Sequence, residues 1–331
     1  MPDQEAASVG ATTQGSLQMR LLGRTGIKIS EIGLGAWAIG GGFNVAGQGL
    51  GFGDTDDATS LAALQQAFEL GVNFVDTADA YGRGHSEKLV GQAMRLSPRR
   101  VHVATKVGNV RRDPEPGMQD FSPAYIREAC DRSLERLGVT SIDLYQLHNP
   151  PREVIAGRAV WDALRELKDK TKIAHYGISI GRPEEGLLAI EKGEVESIQV
   201  AYNLLRREAA RELFEEAYKK SVGIVVRVPL ASGLLTGKYQ PGHRFPDNDH
   251  RKDTYPPEKL AAALARVEKL RFLAENTGRT LAQAALKFCL AHPAVSTVIP
   301  GVKTPEQVRE NVAAAAVPDL TPEELKRIEG V

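Results

Sequence analysis

The feature that most limits the fold of this chain is an alternation repeated eight times between residues 32 and 315. Short runs rich in β-branched and apolar residues give way to longer segments whose apolar residues recur at helical spacing. The strand-like runs are 32–35, 73–77, 101–106, 142–148, 173–178, 197–201, 223–229 and 295–299. The helical patterns that follow them are 59–70, 87–96, 123–137, 159–169, 184–191, 209–220, 281–291 and 305–315. A helix in every connection makes neighbouring strands parallel. Eight such units in 331 residues predict an α/β fold of the closed (β/α)8 barrel type rather than an open doubly wound sheet. No GxGxxG turn follows an early strand, so the phosphate turn of a dinucleotide-binding open sheet is missing.

Three stretches break the rhythm. Residues 18–32 read as an N-terminal hairpin, with a Gly23-Arg24-Thr25-Gly26 turn between alternating runs. After the seventh strand comes a long polar loop, 236–257, of the kind that acts as a lid or binding loop, and then an extra helix over 259–275. A last helix is predicted over 322–328. Ser122, Thr304 and Thr321 stand as N-caps, each with proline next in line. Residues 1–17 are small and polar and read as a disordered tail, leaving 18–331 as one domain. The 42 basic and 42 acidic residues give no general attraction to nucleic acid or anionic membrane. No apolar run approaches the roughly 20 residues that span a bilayer, and the N-terminus lacks a secretory pattern. Cys130 and Cys289 lie far apart inside helical patterns, which points to buried packing without a metal site or a disulfide. The expectation is a cytoplasmic protein.

In a barrel of this kind, chemistry gathers where strands end and βα loops begin. The second strand delivers Asp76 and, five residues on, Tyr81; the third delivers Lys106; the fourth His148. A phenol, with an ordinary pKa near 10, is a poor acid at neutral pH, and a neighbouring ammonium stabilises its phenolate. A buried ammonium in turn needs a carboxylate. Singly each residue has a bland reading, as a surface ion pair, a loop aromatic or a satisfied histidine. Together, at the ends of three consecutive strands, they form a proton-donating group.

These residues sit in segments that resemble the aldo-keto reductases. The resemblance runs through LGRTGIKISEIGLGAW (22–37), GVNFVDTADAYGRGHSEKLVGQAM (71–94), ATKVG (104–108), IDLYQLHNP (142–150), PLASGLLTGKY (229–239) and IPGVKTPEQVRENV (299–312). It implies a barrel closed at the bottom by the hairpin, with catalytic residues Asp76, Tyr81, Lys106 and His148. It also implies NADPH, in preference to NADH, as hydride donor. The implied cofactor contacts begin with Gly35, Ala36, Trp37 and Asp76 along the nicotinamide ribose. Ser179 and Gln199 hold the carboxamide, with Asn149 beside them. Arg227 lies under the ring; Pro229, Leu230, Ser232, Gly233, Leu235, Gly237 and Lys238 surround the pyrophosphate. Gly301, Lys303, Gln307, Glu310 and Asn311 take the adenosine end. The chain departs from the family pattern at Ile180, where an asparagine is usual, at Arg227, where an aromatic is usual, and at Gln307, where many relatives have arginine. A cation at position 227 is expected to disfavour oxidised cofactor. Trp37, Phe43, Tyr81 and His148, with Tyr202 and the loop 109–121, are candidates for the substrate pocket.

The reading is a carbonyl reductase acting on aldehydes or ketones, as a monomer or small homo-oligomer. Two alternatives stay open at this point. One is the same machinery run oxidatively on sugars or polyols, separable by comparing rates on aldehydes and aldoses. The other is a nucleotide-binding regulatory subunit like the channel β-subunits of this fold, which would turn over sluggishly. A glycosidase barrel needs paired carboxylates at the strand ends, and only Asp76 is a clear acid there.

Overall fold

The computed structural model describes residues 17–45, 48–110 and 118–331, with no side-chain description for 43–50. Eight parallel strands form one sheet: β1 (Leu34–Gly35), β2 (Phe74–Asp76), β3 (His102–Val107), β4 (Ile142–His148), β5 (Ile173–Ser179), β6 (Ser197–Ala201), β7 (Gly223–Arg227) and β8 (Val295–Ile299). They neighbour one another in chain order, as in a barrel built of successive βαβ units. The sheet closes on itself where Ile32 bridges Val298 and Gly35 bridges Gly301. The first strand is shorter than its apolar run because Gly33 and Gly35 donate to the Val298 and Pro300 carbonyls across the seam. A Cβ at Gly35 would stand 2.8 Å from the Ile299 carbonyl oxygen, so only glycine lets the last strand come this close.

The principal helices are α1 (Asp57–Glu69), α2 (His85–Leu96), α3 (Pro123–Leu137), α4 (Ala159–Asp169), α5 (Pro183–Glu191), α6 (Phe214–Lys219), α7 (Leu281–Leu290) and α8 (Pro305–Ala313). The predicted caps are in place: Ser122 accepts from Tyr125 N–H, Thr304 from Gln307 N–H and Thr321 from Glu324 N–H. The sixth helical pattern divides at Leu213, giving Glu208–Glu212 ahead of α6. The extra helix is shorter than its pattern, Pro257–Glu268 followed by a single turn at Arg271–Leu273.

The hairpin pairs Met19–Leu21 with Lys28–Ser30 and plugs the N-terminal end of the barrel. Its Leu22 and Ile29 are fully buried in one cluster with Phe74, Ala104, Leu144, Val225 and Ile299. Arg24 N–H donates to the Ser221 carbonyl at the foot of β7. The bottom is thereby closed by apolar side chains, and the opposite mouth is left for function. Cys130 and Cys289 are buried and unbridged. No helix among the described residues is long and apolar enough to cross a membrane. The predicted tail, through residue 16, lies outside the described residues, as do 111–117 of the loop 109–121.

Candidate active site

β2, β3 and β4 carry Asp76, Lys106 and His148 to the mouth in matching register: Asp76 pairs with Ala104, and Lys106 with Gln146. Lys106 is fully buried and Asp76 nearly so. The ammonium donates to Asp76 Oδ2 at 2.6 Å, to the Thr77 carbonyl at 2.8 Å and to Tyr81 Oη at 3.2 Å. All three of its N–H groups are therefore directed. The other carboxylate oxygen, Oδ1, accepts from Gln199 Nε2 at 2.7 Å and Gln146 Nε2 at 3.1 Å. A carboxylate only accepts, so these contacts fix which way both amides face. Gln146 is a residue the sequence reading missed. Its signal was a lone amide in the middle of a buried strand, where an unsatisfied polar group is costly.

Tyr81 reaches Lys106 because the chain turns sharply behind it. Gly82 (φ 56) and Arg83 (φ 55) are left-handed, and a Cβ on Gly82 would lie 2.1 Å from the Gly40 carbonyl oxygen. The phenol ring stacks on Trp37 (centroids 5.9 Å) and meets His148 edge-on (5.8 Å). Burial pushes the Tyr81 phenol above its ordinary value; Lys106 pulls it back, Asp76 raises it again and Arg227 lowers it. The net direction is upward, so the ammonium limits the rise without reversing it. Burial alone would draw Lys106 down, but the charges of Asp76 and Tyr81 outweigh it and hold the amine protonated above its usual range. A phenol that keeps its proton, backed by a fixed cation, can donate to a developing oxyanion.

These groups open into a cavity of about 610 Å³. The cavity brings together Gly35, Trp37, Asp76, Tyr81, His148, Asn149, Ser179, Gln199, Arg227, Pro229, Leu230, Ser232, Gly233, Lys238, Gly301, Lys303, Gln307, Glu310 and Asn311. Three expected contacts fall elsewhere. Ala36 is wholly buried, its N–H donating to the Asp76 carbonyl and its own carbonyl accepting from Ser86. Leu235 points into the core, and Gly237 faces a separate hollow under the extra helix. Tyr202 is also in the core, stacked on Phe288 at 5.2 Å with Phe214 at 5.0 Å. β6 ends at Ala201, so the next ring turns outward to the helices. The Phe43 side chain lies outside the described residues.

At the strand ends, Ser179 Oγ donates to Asn149 Oδ1 (3.4 Å), and Asn149 is itself left-handed (φ 52). Gln199 Oε1 is buried without a partner among the described residues, as is Arg227 Nε. One is an acceptor and the other a donor. A carboxamide, which carries both functions, fits between such groups, and a nicotinamide presents one. Arg227 is steadied by Nη2 donating to the Ile180 carbonyl (2.9 Å). At this departure from the family pattern the side chain joins the buried core, and the backbone takes up the polar contact. Beyond β7 the chain turns left-handed at Val228 (φ 53) and, after Pro229 and Leu230, again at Ala231 (φ 49), Ser232 (φ 57) and Gly233 (φ 93). For a β-branched valine this is strained. Lys238 and Lys303 reach the same cleft.

The sequence reading also missed His250 and Arg251. The Phe52 ring meets Trp37 edge-on at 4.9 Å, and His250 packs against Trp37 at 4.6 Å. Arg251 pairs with Asp249, donates to Tyr239 Oη (2.6 Å) and the Ser232 carbonyl (3.3 Å), and covers the Phe52 ring (5.0 Å). The loop 236–257 thus folds onto the segment between β1 and α1, the first loop.

A family model described as "Aldo/keto reductase family" matches residues 31–331. The chain is 35% identical over 318 residues to a Bacillus subtilis protein called uncharacterized oxidoreductase YqkF, covering 95% of this chain and 96% of that one. It is 32% identical over 317 residues to an Escherichia coli protein called NADH-specific methylglyoxal reductase, covering 88% and 92%. Among solved structures, aldo-keto reductase AKR11C1 from Bacillus halodurans, in its holo form, superposes with TM-score 0.77 at 31% identity over 95% and 96% of the two chains. With the barrel, the cleft and these likenesses together, the chain belongs to the aldo/keto reductase family and is an NAD(P)H-dependent oxidoreductase.

Proposed function

We propose that this protein reduces the carbonyl group of small aldehydes or ketones to alcohols, with Tyr81 as the proton donor. The observation that carries the reading is the Lys106 ammonium, shared at 2.6 Å with Asp76 and 3.2 Å with the phenol of Tyr81. A nicotinamide cofactor in this cleft supplies the hydride to the carbonyl carbon. As charge builds on the carbonyl oxygen, Tyr81 Oη gives up its proton to it, and Lys106 stabilises the phenolate left behind. His148, on the edge of the same ring, is placed to orient that oxygen. Asp76 keeps Lys106 charged. Trp37 and Phe52 give the carbonyl end an aromatic wall, suited to a compact substrate with an apolar face.

The cofactor is NADPH in this reading. Lys303 and Lys238 give the adenosine and phosphate ends of the cleft positive charge, with Arg251 beside them. The start of α8 lies on the same side and adds the positive end of its helix dipole. The test has two arms. Tyr81→Phe should bind NADPH normally and lose roughly 10²–10⁴-fold in carbonyl reduction; full activity in this variant would refute the assigned acid. Dissociation constants for NADPH and NADH should favour NADPH, and the preference should shrink in Lys303→Met; equal constants in the parent protein would refute the cofactor choice.

A further inference from the structure

Lys303 is not an idle cation at the nucleotide end of the cleft. Its ammonium donates to the Phe52 carbonyl at 2.5 Å and the Asp54 carbonyl at 2.9 Å, both on the first loop and about 250 residues away in the chain. A lysine ammonium has three N–H donors, and two are directed onto this loop. The residue also borders the cofactor cleft, so the third is available to a ligand there. The first loop is not merely a cover for the nucleotide, because Phe52 carries the aromatic edge that meets Trp37, and Trp37 stacks on Tyr81. One lysine therefore touches both the loop that shapes the carbonyl pocket and the region where an anionic cofactor group lies.

We propose that Lys303 is a positioning residue for the carbonyl pocket: it pins the first loop through the Phe52 and Asp54 carbonyls, and a phosphate that engages its third N–H firms that loop and the Phe52 wall. The charge around it explains why the phosphate should tighten the contact. Lys303 stands near Arg251 and Lys238, with Asp249 and Asp54 as the facing acids. Burial and the neighbouring cations both work against its charge. A dianionic phosphate in the cleft offsets that repulsion and holds the ammonium in its charged form, the form that donates to all three acceptors. Further ties on this loop include His250, which meets the Gly51 carbonyl through its backbone N–H (3.1 Å) and Nδ1 (2.8 Å), and Asn248, which donates to Asp54 Oδ1 (2.9 Å). Arg251, which covers the Phe52 ring at 5.0 Å, also borders the cleft, but among the described residues at that border it is Lys303 that holds the loop's backbone carbonyls.

The proposal rests on the NADPH reading, and the experiment separates the two. Amide hydrogen exchange of residues 51–54 is followed in the full-length protein with adenosine 2′,5′-bisphosphate or adenosine 5′-monophosphate at saturation. The bisphosphate should slow exchange several-fold relative to the monophosphate. Lys303→Met should speed exchange in the free protein and erase the difference. Steady-state kinetics add a second readout: the carbonyl KM should be several-fold lower with NADPH than with NADH. That gap should close in Lys303→Met, and Lys303→Arg should restore part of it. If the bisphosphate binds more tightly than the monophosphate but leaves exchange at 51–54 unchanged or faster, the pinning role is overturned and the NADPH reading stands. If the two nucleotides bind equally, both fall.

Discussion

The Asp76–Lys106 pair invites a double-mutant cycle. Lys106 is wholly enclosed and Asp76 is 3% exposed at its side chain, with 2.6 Å between them. At an effective dielectric constant of about 20, two unit charges this close attract by roughly 6 kcal/mol, set against several kcal/mol per ion for leaving water. The pair as a whole therefore adds little net stability, but either member alone is costly. Lys106→Met leaves a buried carboxylate held by two glutamine amides; Asp76→Asn leaves a buried ammonium held by a carbonyl and a phenol. Each single substitution should destabilise by about 3–5 kcal/mol.

The double variant Asp76→Asn/Lys106→Met leaves no charge behind. The amide oxygen introduced at position 76 can still accept from Gln146 and Gln199, and the Thr77 carbonyl loses its donor at about 1–3 kcal/mol. The double variant should thus be more stable than either single one. Urea unfolding followed by the fluorescence of Trp37 and Trp161 measures all four proteins, and all three variants should have lost reductase activity. A single variant too unstable to purify, beside a double variant that folds, carries the same sign. Additivity within about 0.5 kcal/mol would refute the claim that Asp76 serves to neutralise Lys106.

Asp79 offers a pH test. Its Oδ1 is buried without a partner among the described residues, and burial, with Glu87 adding to it, pushes the carboxyl up to about 8. The folded protein then binds a proton that the unfolded chain releases near 3.8, so stability falls as pH rises from about 4 to 8, by at most ~1.4 kcal/mol per pH unit. Asp79→Asn should flatten that slope in chemical unfolding at several pH values; an unchanged slope would rule it out. Gly82→Ala should cut turnover at least tenfold by shifting Tyr81, because a Cβ there meets the Gly40 carbonyl oxygen at 2.1 Å in a left-handed turn; normal turnover would mean the turn adapts freely. Arg227→Tyr should raise affinity for NADP⁺ relative to NADPH, as measured by fluorescence titration, since a cation beside the ring disfavours the oxidised form; an unchanged ratio would show that the charge is screened.

The barrel was legible because its evidence is local. Strand runs of five to seven residues, such as Ile142–His148 and Ser197–Ala201, and caps such as Ser122 leave signals within a few positions of themselves. The meeting of Asp76, Lys106 and His148 was legible because each lies at or next to the last residue of its strand, and parallel register brings strand ends to one level. What the sequence hid joins distant segments with no shared period. Lys303 meets Phe52, Gln199 meets Asp76 and His250 meets Trp37, and no spacing rule links those positions. Tyr202 shows the opposite failure. It sits just past a strand end, where pocket residues gather, but the strand stops one residue earlier and the ring joins the core.

The raised pKa of Tyr81 is compatible with an acid role and sets a further test. A proton donor must hold its proton until the oxygen it serves becomes basic, and a buried phenol does so across the neutral range. The Lys106 ammonium interacts weakly with a neutral phenol and strongly with a phenolate, so its effect is concentrated where charge has moved, which lowers the barrier and not merely the ground state. Reduction needs the protonated phenol, and oxidation of an alcohol needs the phenolate. The rate of carbonyl reduction should therefore show no loss from Tyr81 between about pH 6 and 9 and should decline only above the ordinary phenol value near 10, while alcohol oxidation by the same enzyme should climb over that upper range. A reductive rate that falls through about pH 7 to 8 with a single proton, unaltered in Asp79→Asn, would place the working acid on another group.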